Sequence, residues 1–292
     1  IFDGIEFNDH LRWIDVINDI GFLLMDLDHR GLDAHARRLL NRYLELTGDY
    51  EAVRLLDFYK AYRAMIRAKV GAFRLAQPGL DEAERAEILD ETRSYVGLAA
   101  SYAQPDQPFL AITHGLSGSG KSTFARHLVE TTGAIQIRSD VERQRLFADE
   151  HNPGAEKTGL NQGIYSSEAT AATYERLAEL AGEITQSGRP VIADATFLQQ
   201  KYRRMIRSLA ETLDIPFVIL DVACDPETLR ERIRQRADAG EDVSEADERV
   251  MEAQLESAEP LTTSEADHAV RIQCQDTPEQ AARALARHLG ND

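Results

Sequence analysis

One stretch decides the fold of this chain: Gly115-Leu116-Ser117-Gly118-Ser119-Gly120-Lys121-Ser122-Thr123. It matches the pattern GxxxxGK(S/T), which marks a phosphate-binding loop when a strand precedes it and a helix follows it. Both conditions are met, because an apolar, strand-like run lies at 109–113 and a segment with Phe124 and Leu128 at helical spacing comes next. The sequence therefore predicts a P-loop between the first strand and first helix of an α/β domain.

Each residue type in this loop has a mechanical role. Glycines let backbone N–H groups turn inward around phosphate oxygens, and the helix N-terminus adds the positive end of its dipole. Lys121 is expected to reach the terminal phosphates of ATP, and Ser122 to ligate Mg²⁺. The residues predicted to bind the nucleotide are Gly115, Ser117, Gly118, Ser119, Gly120, Lys121, Ser122 and Thr123.

Short β-rich runs alternate with helical segments after Pro108. The further runs lie at 135–137, 191–193, 217–222 and 269–272. Strands that alternate with helices indicate a parallel sheet covered on both faces. We therefore predict an α/β fold at 105–292, a P-loop NTPase or kinase sheet with flanking helices.

The part before this domain has a different pattern. Apolar residues at 11–73 recur at helical spacing, Gln77-Pro78-Gly79 interrupts the pattern, and Asp81 is placed to cap a further helix to about Tyr102. The stretch Gln104-Pro105-Asp106-Gln107-Pro108 is typical of a linker. We predict a smaller, mostly α-helical domain at 1–104.

Composition narrows the classes of function and partner. The chain has 292 residues, with 33 Lys and Arg against 50 Asp and Glu, a formal charge of -17. Such a charge disfavours a nucleic-acid partner.

The sequence also bears on the location of the chain. No apolar run is long enough for a bilayer span. The two cysteines, at 224 and 274, are expected to be buried thiols in a reducing cytoplasm. Since the chain begins with Ile1, we expect a processed or truncated N-terminus.

The second strand ends in Arg138-Ser139-Asp140, followed by Val141-Glu142-Arg143. Loops at the carboxyl ends of strands face the ligand crevice in such sheets. Asp140 there is placed to accept a proton from an acceptor hydroxyl, and Arg138 or Arg143 to bind an anionic group of the substrate. The alternative for Asp140 is an N-cap of the following helix.

Two further motifs add a candidate metal ligand and a candidate lid. The run at 191–193 ends in Asp194, a Walker-B-like position for the water shell of Mg²⁺, with a polar strand end as the alternative. The segment 229–236 places Arg232 and Arg236 on one helical face. These arginines either stabilise the charge of a transferring phosphate or belong to a solvated surface.

These motifs resemble those of the small P-loop kinases related to phage polynucleotide kinase and the zeta toxins, whose ATP-binding domain is of the AAA_33 type. The likeness covers most of 108–292. It implies that Asp140 activates the acceptor hydroxyl, that Arg143 contacts substrate, and that Arg232 and Arg236 are lid arginines.

Residues 1–16 carry a second resemblance. Ile1-Phe2-Asp3-Gly4 and Leu11-Arg12-Trp13-Ile14-Asp15-Val16 resemble the end of the aminoglycoside phosphotransferase-like lobe that precedes such P-loop domains in two-part bacterial proteins. The likeness makes Asp3 a metal-binding residue, but the HGD-type catalytic loop that should precede it is absent from the sequence. We expect this part to be catalytically inactive, with Asp3 and Asp15 holding a turn and a helix start.

Together these features predict an ATP- and Mg²⁺-dependent kinase that phosphorylates a hydroxyl group of a small molecule. One alternative is a nucleotide-gated binding module that forms no phosphorylated product. A second is a polynucleotide 5'-hydroxyl kinase, which the charge opposes. The acceptor pocket is expected in the helical segment between Asp140 and Pro190, where Tyr165, Glu168 and Tyr174 either line it or pack.

Overall fold

The computed structural model describes residues 14–104, 107–147, 166–225, 227–232 and 248–290. The chain divides into two compact units, 1–106 and 107–292. Each unit has a hydrophobic core of its own. In the described ranges no helix combines the length and the apolar character that a bilayer crossing requires.

The first unit is helical, as its spacing predicts. Its helices are α1 (Val16–His29), α2 (Asp33–Thr47), α3 (Val53–Leu75) and α4 (Glu82–Ser101). Asp81 caps α4 in a capping box with Glu84, which confirms the predicted helix start. Asp15 caps α1 by accepting a hydrogen bond from the Ile17 N–H. Asp3 lies outside the described residues.

The second unit is built on a five-stranded parallel sheet. Its strands are β1 (Leu110–His114), β2 (Ile135–Arg138), β3 (Val191–Asp194), β4 (Phe217–Ala223) and β5 (Ala269–Gln273). Their order across the sheet is β2-β3-β1-β4-β5. All five strands predicted from the sequence are present, with ends shifted by at most one residue, and the α/β fold class is confirmed.

Helices flank the sheet on both sides. They are α5 (Lys121–Thr132), α6 (Ser139–Leu146), α7 (Ser167–Gln186), α8 (Gln200–Leu213), α9 (Glu248–Ser257), α10 (Thr263–Ala266) and α11 (Pro278–His288). Residues 227–232 are also helical. Alternate strand residues, such as Ala111 and Ile192, form one core with α5 and α11. Helices α7 and α8 pack on each other and on the strands.

The expectation of two buried thiols is wrong, because Cys224 and Cys274 form a disulfide bond. The two residues are 50 positions apart in the sequence, but each directly follows a strand of the sheet. Ala223 at the end of β4 lies opposite Gln273 at the end of β5, so the next residues meet. The Cys274 N–H donates to the Ala223 carbonyl at 2.8 Å. The pairing of β4 with β5 therefore brings together two cysteines that are far apart in the sequence.

Candidate nucleotide-binding site

Three glycines give the P-loop its shape by taking positive φ angles. The values are 137° at Gly115, 87° at Gly118 and 96° at Gly120, in a region that favours glycine. A Cβ atom at Gly115 would lie 2.5 Å from the Val222 carbonyl oxygen, so no larger residue fits there without movement. The Gly115 N–H donates to the Thr196 carbonyl at 3.2 Å, which ties the loop to the segment after β3.

The loop presents donors where phosphate is expected. Among the described residues, the N–H groups of Gly118 and Gly120 donate no hydrogen bond within the protein. Lys121 is only 8% exposed, and its Nζ donates to the Leu116 carbonyl at 2.6 Å. Its ammonium group thus lies folded over the beginning of the loop. This arrangement fits a polyphosphate, which accepts hydrogen bonds from both kinds of donor.

Asp194 ends β3 as a buried carboxylate, 5% exposed. Gln136 Nε2 donates to its Oδ2 at 2.8 Å, and the Thr113 hydroxyl lies 3.1 Å from its Oδ1. A carboxylate has about four lone-pair sites, so capacity remains for a further partner. Together with the hydroxyl of Ser122 in the first turn of α5, it offers the oxygen ligands that Mg²⁺ prefers. The residues present fit a magnesium ion.

Asp140 lies in the first turn of α6 and is paired with Arg138. Arg138 Nη2 donates to Asp140 Oδ2 at 2.6 Å, and the Val141 N–H donates to Oδ1 at 3.0 Å. The N-cap position of α6 is occupied by Arg138, with no side-chain cap. The alternative role of Asp140 as the N-cap is therefore wrong. Its carboxylate is half-buried at the carboxyl end of β2, and its role toward an acceptor stays a prediction.

Arg143 is placed one helical turn after Asp140. Its Nε donates to the Thr173 hydroxyl at 3.4 Å, which brings α6 and α7 together.

Tyr174 on α7 is buried and stacks on Tyr202 with ring centroids 3.8 Å apart. Burial raises the pKa of Tyr174. Packing is thus an observed role of Tyr174, whereas Glu168 is exposed on the same helix and Tyr165 lies outside the described residues.

Arg232 reaches the P-loop from the 227–232 helix. Its Nη2 donates to the Cys274 carbonyl at 3.0 Å and its Nη1 to the Ser119 carbonyl at 3.4 Å. The helix itself is fixed by Leu229, 1% exposed, which packs against Leu116 of the loop. Of the predicted pair, Arg232 is therefore at the loop, and Arg236 lies outside the described residues.

Gln254 on α9 is a site residue that sequence reasoning does not single out. Its Oε1 accepts a hydrogen bond from the Ser117 N–H at 2.9 Å. No motif marks this residue.

Arg203 on α8 is a second residue that sequence reasoning does not single out. It is 1% exposed and forms an ion pair with Glu265 in which Nε and Oε1 are 2.8 Å apart. Burial alone would raise the pKa of Glu265, but hydrogen bonds from Arg203 and Thr262 outweigh it and lower the pKa to about 2. A signal existed, because Arg203 falls on the same helical face as the apolar Ile206 and Ala210.

The parallel sheet of order β2-β3-β1-β4-β5, with a Gly-rich loop between its central strand and the next helix, defines a P-loop nucleotide-binding domain. The chain belongs to the AAA domain family known as AAA_33, whose model matches residues 110–261.

Relatives with curated sequences come from mycobacteria. Uncharacterized proteins of Mycobacterium tuberculosis and Mycobacterium bovis are 34% identical to the chain over 244 residues, which cover 84% of this chain and 48% of theirs. The chain thus spans about half the length of the curated relatives that it matches.

Solved structures with a similar fold include small kinases. A gluconokinase of Sinorhizobium meliloti has a TM-score of 0.46 and 18% identity, covering 63% of this chain and 93% of its own. The APS kinase of Mycobacterium tuberculosis, solved in complex with AMPPNP and APS, has a TM-score of 0.46 and 20% identity, covering 64% and 99%. A sugar kinase of Janibacter has a TM-score of 0.46 and 20% identity, covering 64% and 95%.

Proposed function

We propose that the chain is an ATP- and Mg²⁺-dependent kinase that transfers the γ-phosphoryl group to a hydroxyl group of a small molecule. One observation carries this proposal. The P-loop follows β1, Asp194 is the last residue of β3, and Asp140 lies two residues after β2. These three strands are neighbours in the parallel sheet. The hydrogen-bond donors for phosphate, a candidate metal ligand and a candidate base therefore lie at the same edge of the sheet. Ligands of such sheets bind at this edge.

Each of these groups has a part in phosphoryl transfer. The N–H groups of Gly118 and Gly120 and the ammonium of Lys121 bind the phosphates and stabilise the charge that develops on them. Ser122 and Asp194 would hold Mg²⁺, which, when bound, neutralises part of the phosphate charge.

On the acceptor side, Asp140 orients the hydroxyl group or takes its proton, and Arg138 fixes the direction of that carboxylate through their 2.6 Å contact. Arg143 binds an anionic group of the acceptor, and the lid arginines Arg232 and Arg236 close over the phosphates. A small acceptor is favoured over a polynucleotide by the net charge of -17.

The first unit has no catalytic part in this proposal. Its likeness to an aminoglycoside phosphotransferase-like lobe rests on residues 1–16, and residues 1–13 lie outside the described ranges. We assign it a structural role.

The test is a screen of hydroxyl metabolites and nucleosides with labelled ATP, followed by Asp140→Asn. This change keeps the size of the side chain and an oxygen for one of its two accepted hydrogen bonds, but removes the base. We expect ATP affinity to change little and transfer to slow by about 10²- to 10⁴-fold. Unchanged transfer to a verified acceptor would remove Asp140 from the mechanism. ATP binding without any phosphorylated product would favour a nucleotide-gated switch.

A further inference from the structure

Of residues 252–257 in helix α9, whose exposure the structure describes, one is turned toward the protein. Residues 252, 253, 255, 256 and 257 are exposed, and only Gln254 is half-buried. Its Oε1 accepts the Ser117 N–H of the P-loop at 2.9 Å. A largely solvated helix surface thus brings one polar side chain to the loop that binds phosphate.

The hydrogen bond fixes which end of the amide faces the loop. A backbone N–H can only donate, so the oxygen of Gln254 must accept it. The amide nitrogen is bonded to the same carbon and has two N–H donors and no acceptor capacity. Gln254 therefore has, beside the P-loop, an N–H donor group that suits an anion.

Ser117 lies at the end of the loop where the terminal phosphates are expected. Lys121, the residue expected to reach these phosphates, has its Nζ 2.6 Å from the carbonyl of Leu116, the residue directly before Ser117. Arg232, in contrast, contacts the carbonyl of Ser119 farther along the loop. Gln254 and Lys121 thus meet the same end of the P-loop.

The chain after α9 is held in place by a clamp, which we define as Arg203, Glu259 and Glu265. Arg203 and Glu265 are buried, and Glu259 is exposed. Arg203 donates through Nη1 to the Glu259 carbonyl at 3.1 Å and through Nε to Glu265 Oε1 at 2.8 Å. The Glu259 N–H donates to the Leu198 carbonyl at 3.0 Å. Leu198 belongs to the short segment that follows β3. The Thr196 carbonyl of the same segment accepts the hydrogen bond from the Gly115 N–H. The clamp and the start of the P-loop are therefore anchored to one segment.

We propose that Gln254 is a nucleotide-binding residue that recognises the terminal phosphate of a nucleoside triphosphate. Its Oε1 keeps the hydrogen bond from Ser117, while its amide nitrogen donates to the terminal phosphate. This inference rests on the proposed binding of ATP by the P-loop. Since this contact can form only when the terminal phosphate is present, we expect Gln254 to favour the binding of ATP over that of ADP.

Two substitutions in the full chain separate the two ends of the amide. Gln254→Glu keeps an oxygen for the Ser117 N–H but replaces the donor with a negative oxygen, which repels phosphate. Gln254→Leu removes both hydrogen bonds and adds no charge. We expect ATP affinity to fall about tenfold in Gln254→Leu and further in Gln254→Glu, with a smaller loss for ADP in each. The affinities are measured by titration with ATP and with ADP.

The matched control is Ala253→Glu, which adds the same charge at an exposed position next to Gln254 on α9. It should keep the wild-type ratio of ATP to ADP affinity. An unchanged ratio in both Gln254 variants overturns the inference. Lys121→Ala tests the underlying proposal separately: if it loses ATP binding while the Gln254 variants keep the wild-type ratio, the P-loop assignment stands and only the role of Gln254 fails. If Lys121→Ala binds ATP normally, the P-loop assignment itself fails.

Discussion

The guanidinium group of Arg232 lies between two neutral carbonyl groups beside the P-loop, those of Ser119 and Cys274. Hydrogen bonds from a charged donor to neutral acceptors are modest in net free energy when water competes for the donor. A phosphate that gains negative charge during transfer is a stronger partner for the same group. We therefore expect Arg232 to act more on the transition state than on ground-state binding.

The change Arg232→Ala tests this expectation. The turnover number should fall more than the affinity for ATP, because only contacts that strengthen in the transition state raise the rate of the chemical step. Arg230→Ala is the control, since position 230 is two residues away on the same short helix and points in another direction. Turnover and ATP affinity are measured with an acceptor found in the screen. A loss of affinity at unchanged turnover would assign Arg232 to ordinary ground-state binding.

At the scale of secondary structure, apolar runs bounded by Gly, Pro and polar residues were enough to predict the five strands. The P-loop was predictable because its residues are adjacent in the sequence. Asp194 and Asp140 were predictable as strand-end and helix-start positions. Gln254 was not, because its contact with Ser117 spans 137 positions and depends on how α9 packs.

The ion pair of Arg203 and the disulfide bond show the same limit of prediction from sequence. A lone charged residue on an apolar helix face signals a buried ion pair, but its partner Glu265 lies 62 positions away. The disulfide depended on the neighbouring positions of β4 and β5, and sequence spacing does not give strand order. Local patterns thus predict elements, whereas long-range partners need the sheet topology.

The clamp of Arg203, Glu259 and Glu265 makes a prediction about pH. The pKa of Glu265 is about 2 in the folded chain and near 4.5 when unfolded. Its carboxylate therefore stabilises the fold fully above about pH 4.5, and this contribution is lost as the pH falls toward 2. Breaking a buried pair by removing one charge costs about 3–5 kcal/mol. Glu265→Gln should destabilise the chain strongly at pH 7.

The measurement is the free energy of unfolding by urea at several pH values. The difference between wild type and Glu265→Gln should shrink as the pH is lowered from about 5 to about 3, since the wild-type carboxylate gains a proton on unfolding. Glu252→Gln, a change at an exposed position of α9, should give a small difference that is flat over this range. A difference for Glu265→Gln that is equally flat would show that its charge does not support the clamp.

At the scale of the whole molecule, the candidate site draws on one unit only. The P-loop, Asp140, Asp194, Arg232 and Gln254 all lie within 107–292. The first unit has its own core, which includes Met25, Ala64 and Tyr95. Domains with separate cores can in principle fold alone. The nucleotide site should therefore not need the first unit.

Deletion of residues 1–104 puts this division to the test. The remaining chain, 105–292, keeps the whole sheet and all the described candidate groups, so its affinity for ATP and its turnover should match those of the full chain. The folding of the shortened chain is checked by circular dichroism and by a cooperative unfolding transition, so that a loss of solubility is not mistaken for a loss of binding. The matched comparison is the full chain purified in parallel, with Lys121→Ala in both lengths as the binding-deficient reference. A well-folded 105–292 chain that no longer binds ATP would mean that the first unit completes the site, since the P-loop would then have all its own residues and still lack a necessary contact.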